Sequence, residues 1–175
     1  MDDPLAVAGL VRDLIGRRLL AVTEARYWYE GQRGGDAASL LDFWLHFEGR
    51  PTLMAHGCGE HLRLELTDPY PSYDMQEDGE TRVGPAREPD LLATFVGRRL
   101  LDASLVRGYT TVPSVGGLRL RFERGDLMVA SLADQWVLRH GPVPTDLRQY
   151  LAVGSWLGAE DDGGRPTRNP KADPW

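Results

Sequence analysis

Between residues 56 and 61 the chain reads His56-Gly57-Cys58-Gly59-Glu60-His61, which puts two imidazoles, a thiol and a carboxylate in one short run. Imidazole nitrogen and thiolate sulfur are zinc ligands, and glycines at 57 and 59 would let a loop fold around an ion, so His56, Cys58 and His61 are a candidate metal set. The spacing is not that of a zinc knuckle, and His46 and His140 stand apart in sequence. The same residues also suit covalent chemistry, with Cys58 as nucleophile, His56 or His61 as its base and Glu60 orienting the ring. The third reading, adopted here, is structural: the glycines permit a turn between two strands, and Cys58 behaves as a small apolar residue. No cofactor is expected on that reading, with zinc as the alternative.

Two further groups of residues could bind rather than react. Tyr27-Trp28-Tyr29, Trp44 and His46 form an aromatic set, and such side chains dominate binding hot spots because they bury much area at modest entropic cost. Tyr70, Tyr73, Asp74, Glu77 and Asp78 combine aromatic anchors with negative charge, which suits a basic surface. The run from Asp74 to Gly79 lacks the alternating oxygen ligands of a calcium loop.

The elements that must carry these residues are written twice. Gly16-Arg17-Arg18-Leu19-Leu20 returns as Gly97-Arg98-Arg99-Leu100-Leu101, and Leu45-His46-Phe47-Glu48 returns as Leu120-Arg121-Phe122-Glu123. The glycines stand 81 residues apart and the phenylalanines 75, so the first copy is six residues longer, most simply in the glycine-rich segment 30–36. A helical period over Pro4 to Ile15 ends at Gly16, and a second short helix opened by Pro89 ends at Gly97. Alternating runs follow each glycine. Phe43, Leu45 and Phe47, like Leu118, Leu120 and Phe122, share one face, and hairpins then lead into strands through Leu62 to Leu66 and Trp136 to Leu138.

The expected fold is thus α+β and β-rich: two pseudo-symmetric repeats, each a short helix followed by an antiparallel meander, with a C-terminal helix. The boundaries are 1–68 for repeat 1, 69–87 for an acidic connector, 88–140 for repeat 2, 141–158 for the helix and 159–175 for a flexible tail. Tyr150 and Trp156 are expected to pack inward from that helix. Arg17, Arg18, Arg98 and Arg99, present in both copies, read as structural, pairing acids across the pseudo-dyad.

Composition narrows the function. With 26 acidic against 20 basic residues the formal charge is −6, which repels a phosphate backbone and suits a basic or mixed partner. No apolar run approaches bilayer length, and the single cysteine forbids an intrachain disulfide, so neither nucleic acid nor membrane is an expected partner and the cytoplasm is the expected compartment. Phosphate loops, nucleophile elbows and His-Glu helix motifs are absent from the sequence.

The steps at Phe95-Val96-Gly97, the run Gly117 to Asp126 and the later Asp134-Gln135-Trp136-Val137-Leu138 resemble a family of actinobacterial domains of unknown function built as two related β-rich halves. The resemblance implies an immunity or accessory type of protein and carries over no catalytic residues. The expected function is a non-enzymatic protein-interaction module. The alternatives are a small metal- or thiol-dependent enzyme using His56, Cys58 and His61, and a homodimeric structural component.

Overall fold

A computed structural model describes residues 3–108 and 114–158. Helix α1 (Pro4–Arg12) is capped by Asp3, whose carboxylate accepts from the Ala6 amide at 2.8 Å. Its Val7 and Val11 are fully buried. Strand β1 (Leu19–Tyr29) leads through β2 (Gln32–Arg33) and the single-turn helix α2 (Asp36–Ser39) into β3 (Leu40–Phe47), β4 (Leu53–Cys58) and β5 (His61–Leu66). Then come β6 (Tyr73–Asp74) and β7 (Glu80–Pro85), a 3-10 helix at Leu91–Phe95, and β8 (Leu100–Gly108), β9 (Val115–Phe122), β10 (Gly125–Leu132), β11 (Gln135–His140) and β12 (Leu151–Trp156).

The strands form two antiparallel sheets, ordered β5-β4-β3-β1-β7-β6, with β2 beside β1, and β11-β10-β9-β8-β12. Alternation sends Val22, Phe43, Leu45, Leu53 and Leu64 from the first sheet, and Leu118, Leu120, Phe122, Val129 and Leu138 from the second, into one shared core. The sheets meet at the starts of β1 and β8. Gly16 and Gly97 both take left-handed conformations, with φ of 84° and 82°, that a β-carbon would strain. Their amides donate across the junction to Leu100 O and Leu19 O, each at 2.7 Å. Arg18 donates to Gly97 O and Arg99 to Gly16 O, each at 2.5 Å. Arg18 and Arg99 therefore cap carbonyls at the ends of the opposite helical segments, which have no partner of their own, where acids across the dyad were expected. Arg17 donates to Glu48 O, Arg98 lies over the Phe95 ring, and Arg99 also stands 3.9 Å from the Glu123 carboxylate of its own half.

Three further expectations change. Residues 141–158 are no helix: a 3-10 turn at Thr145–Leu147 precedes β12, which pairs with the free edge of β8. Pro142, Pro144 and Gly154 disfavour helix, and an open edge offers Leu151 to Val153 a ladder of hydrogen bonds. Tyr150 is consequently exposed, while Trp156 lies beneath Arg119 and Arg121. Within 69–87, expected as connector alone, β7 pairs with β1 along six residues. The flexible tail expected at 159–175 lies outside the described residues.

The chain leaves β5 at one edge of the first sheet and enters β6 at the other. Five interstrand steps of about 4.8 Å make about 24 Å, which the seven steps from Leu66 to Tyr73 span only when nearly extended. Pro69 and Pro71 suit such a strap, and Tyr70 at its middle stacks edge-on against Trp44, ring centres 4.9 Å apart.

Candidate functional site

The strap crosses the outer face of the first sheet, the face turned away from the shared core. Alternation along β3 places Asp42, Trp44 and His46 there, and Tyr70 covers them. Trp44 is fully buried, and its indole Nε1 finds no acceptor, so it is packing for the strap and not an exposed anchor. His46 stands between Thr23 Oγ1, 2.9 Å from its Nε2, and Thr52 Oγ1, 3.3 Å from its Nδ1. Burial holds the His46 imidazole below its ordinary value, with Asp68 acting weakly the other way.

Beside it, His56 Nδ1 lies 2.6 Å from Asp42 Oδ1, and the Tyr70 hydroxyl donates to Asp42 Oδ2 at 2.5 Å. A carboxylate at Nδ1 favours the proton on that nitrogen and leaves Nε2, on a half-exposed ring, without a protein partner among the described residues. Burial, and next the bond to Asp42, push the Tyr70 phenol up, which keeps it a donor. An open cavity of about 290 Å³ adjoins this cluster, walled by Tyr70, Tyr73 and His56 on one side and by Ser131, Asp134 and Trp136 on the other.

Cys58 and His61 face each other at the end of the β4–β5 ladder, while His56 is opposite Arg63. No hydrogen bond among the described residues joins Cys58 to either histidine, and Cys58 is exposed. Nor do His56, Cys58 and His61 form a set of ligand atoms within 4.8 Å of one another; among the described residues that grouping is met by Glu24, Asp36 and Asp90. The alternative metal set is thus not assembled, because Asp42 draws the His56 ring toward β3.

The glycines of this turn serve contact with the other sheet. A β-carbon at Gly57 would stand 2.9 Å from Ser131 Oγ and 3.4 Å from the Trp136 ring. Ser131 Oγ donates to Gly59 O at 2.8 Å, the Asp134 amide donates to the same oxygen at 3.1 Å, and the Gly59 amide donates to Asp134 Oδ1. The carbonyl of Glu60 lies close above Gly108 and Gly116. The chemistry-bearing loop is thus a joint between hairpins.

The β1–β7–β6 register brings together what the sequence separates. Tyr27 pairs with Thr81 and Thr81 with Tyr73, so the two tyrosines flank one fully buried threonine at about 9.6 Å. Tyr29 shares their face by alternation, and Tyr27, Tyr29 and Tyr73 are 36, 50 and 48% exposed. The Tyr27 hydroxyl donates to Asp78 O at 3.0 Å. Asp74 Oδ1 accepts from the Gln76 amide at 2.7 Å, whereas the exposed carboxylates of Glu77 and Asp78 have no ion-pair partner among the described residues. Trp28 points to the opposite face, where the Arg82 guanidinium covers it at 4.0 Å.

On that opposite face sequence reasoning missed a buried ionic cluster. Arg26 bonds Glu24 at 2.8 Å and Asp36 at 2.6 Å, and Arg33 grips Asp90 through two hydrogen bonds of 2.5 and 2.8 Å. The signal was present: Glu24 and Arg26 fall in phase with Val22, so two charges occupy core-facing positions. Burial pushes the Glu24 carboxyl up, whereas the bonds from Arg33 hold Asp90 down.

Comparison with protein-family models, with curated proteins and with solved structures returns no match. No helix among the described residues is long and apolar enough to cross a membrane.

Proposed function

We propose that the chain is a protein-interaction module without catalytic activity, which docks a basic or mixed segment of a partner protein on the outer face of its first sheet. One observation carries this reading: three exposed tyrosines, Tyr27, Tyr29 and Tyr73, share a corner with Asp74, Glu77 and Asp78, and the strap and the cavity beside Tyr70 continue the same surface. Tyrosines supply rigid contact area, and unpaired carboxylates steer a cationic segment toward it. An immunity-type inhibitor would need no more, since occlusion requires shape, charge and a few anchors. The reading also takes the chain as a duplication with one specialised copy; the reciprocal bonds at Gly16 and Gly97 support that.

The test is retention of a partner from the source cells by wild-type protein, by the Tyr27→Ala/Tyr73→Ala variant and by the Asp74→Asn/Glu77→Gln/Asp78→Asn variant. Expected is one protein held at low salt, released at high salt and lost by both variants. Equal retention by all three overturns the proposal. A dimer mass in solution that the tyrosine variant abolishes would favour the homodimeric reading instead.

A second reading, general acid–base chemistry, is favoured by the Asp42–His56 pair, which leaves Nε2 on an open cavity. It relies on His56, Asp42 and Tyr70, not on Cys58. Turnover that disappears in His56→Ala and survives in Cys58→Ala would support it.

A further inference from the structure

The inner face of β1 starts as core and ends as charge. Val22 packs into the shared core, but Glu24, Arg26 and Trp28 continue in the same phase under β7. There Glu24 is opposite Gly84, Arg26 opposite Arg82 and Trp28 opposite Glu80. Because residue 84 has no side chain, nothing fills the space above Glu24, and a cavity of about 320 Å³ opens there.

Its walls carry Arg26, Arg33, Arg82 and Arg87 against Glu24 and Asp90, and since Asp36 and Glu80 beside the cavity pair with Arg26 and Arg82, the charges balance and Arg87 is the cation without an ion-pair partner among the described residues. The donors are unequally used. Arg26, nine-tenths buried, spends Nε on Glu24, Nη1 on Ser39 and the Asp36 carbonyl, and Nη2 on the Asp36 carboxylate. Arg33 spends both terminal nitrogens on Asp90 and keeps its Nε–H, while Arg82 gives Nε and Nη2 to Glu80 and keeps Nη1. Arg87 is exposed and has no side-chain partner among the described residues. The inner layer of charge is therefore fixed by mutual pairing, and the outer layer keeps unspent guanidinium donors on Arg33, Arg82, which lies over the Trp28 ring, and Arg87.

Burying a Glu–Arg–Asp cluster costs more than apolar side chains of the same volume would, and the shared core next to it shows that this fold accepts such side chains. Guanidinium forks match the geometry of phosphoryl and carboxylate oxygens. We propose that this cavity binds a small-molecule oxyanion, a phosphoryl or carboxylate group, held by Arg87, Arg82 and Arg33 over the fixed Glu24–Arg26–Asp90 base. The site is on the face opposite the tyrosine corner, so it stands or falls independently of the docking proposal.

The experiment is calorimetric titration of the whole chain with inorganic phosphate, pyrophosphate and succinate at constant ionic strength, repeated on Arg82→Gln/Arg87→Gln. Expected is saturable binding of at least one probe with one equivalent per chain, weakened at least tenfold in the double variant and unchanged in Tyr27→Ala/Tyr73→Ala. Tighter binding of the phosphates than of succinate assigns a phosphoryl ligand, and the reverse order a carboxylate. Circular dichroism checks that the double variant is folded; should it not be, Arg87→Gln alone, at an exposed residue without partners, gives the same readout. No saturable heat at millimolar probe, or binding that the arginine variants leave intact, overturns the proposal.

Discussion

The two sheets share a meander and a core but treat their outer faces differently. On the second sheet, Arg119 and Arg121 both pair with Asp126 and both lie over Trp156, at 4.7 and 3.9 Å, while Val143 and Leu151 close over Val106 and Met128. The chain's own C-terminal segment thus satisfies that face. On the first sheet the corresponding positions hold Trp44 and His46; a strap covers them, and the neighbouring corner keeps three exposed tyrosines and two carboxylates without an ion-pair partner among the described residues. The C-terminal segment covers the outer face of the second sheet, whereas on the first sheet the strap stops short of the tyrosine corner, and this contrast is why docking is proposed there.

The largest effect that could break this contrast is on stability. Trp44→Ala removes a fully buried indole and should cost about 3–5 kcal/mol in denaturant unfolding. Trp156→Ala, which loses mainly cation–π contacts at a half-buried site, should cost about 1 kcal/mol. Equal costs would mean that the two covers are equivalent.

Tyr70→Phe keeps the ring on Trp44 but deprives Asp42 of a hydrogen bond to a charged group, an expected loss of about 1.5–3 kcal/mol. Proteolysis within the strap should accelerate in that variant, and an unchanged cleavage rate would show that the hydroxyl does not hold the strap.

A smaller effect is the response to pH. His46 has a folded value below its unfolded value of about 6.5, so the unfolded chain binds the proton more readily. Its contribution is present above pH about 6.5 and is lost as pH falls toward the folded value. His46→Gln should flatten the stability profile over that range, and an unaltered acid limb would assign the dependence elsewhere. Least of all, Tyr73→Ala, at an exposed side chain with no hydrogen bond among the described residues, should change stability by no more than about 0.5 kcal/mol, as surface positions do, which separates binding from folding at that corner.

Much of this frame could be read from residue types. The apolar phase of Phe43, Leu45 and Phe47 and of Leu118, Leu120 and Phe122 specified the inner faces, and Gly16 and Gly97 take the left-handed conformation expected where each first helix ends, whereas the β10–β11 turn puts positive φ on Ala133 and Asp134. The strap was not legible, since its path depends on which edge β5 and β6 occupy, a matter of pairing across the whole sheet. For the same reason Trp44 and Tyr27, aromatic alike, could not be told apart: one lies under Tyr70 and the other beyond it. Gly57 and Gly59 suggested a loop around an ion, whereas their true neighbours, Ser131 and Asp134, come from a hairpin some seventy-five residues later. The helix expected near Tyr150 gave way because an unpaired edge of β8 competes with a weak local preference.

The most direct measurement is site-specific photo-crosslinking in the source cells from two positions, Tyr73 on the first sheet's outer corner and Val153 on the second sheet's edge strand, both exposed. A discrete adduct with one protein from position 73, lost when Asp74, Glu77 and Asp78 are neutralised, with none from position 153, is the expected result. Adducts of equal yield from both positions, or from 153 alone, contradict the assignment of binding to the first sheet.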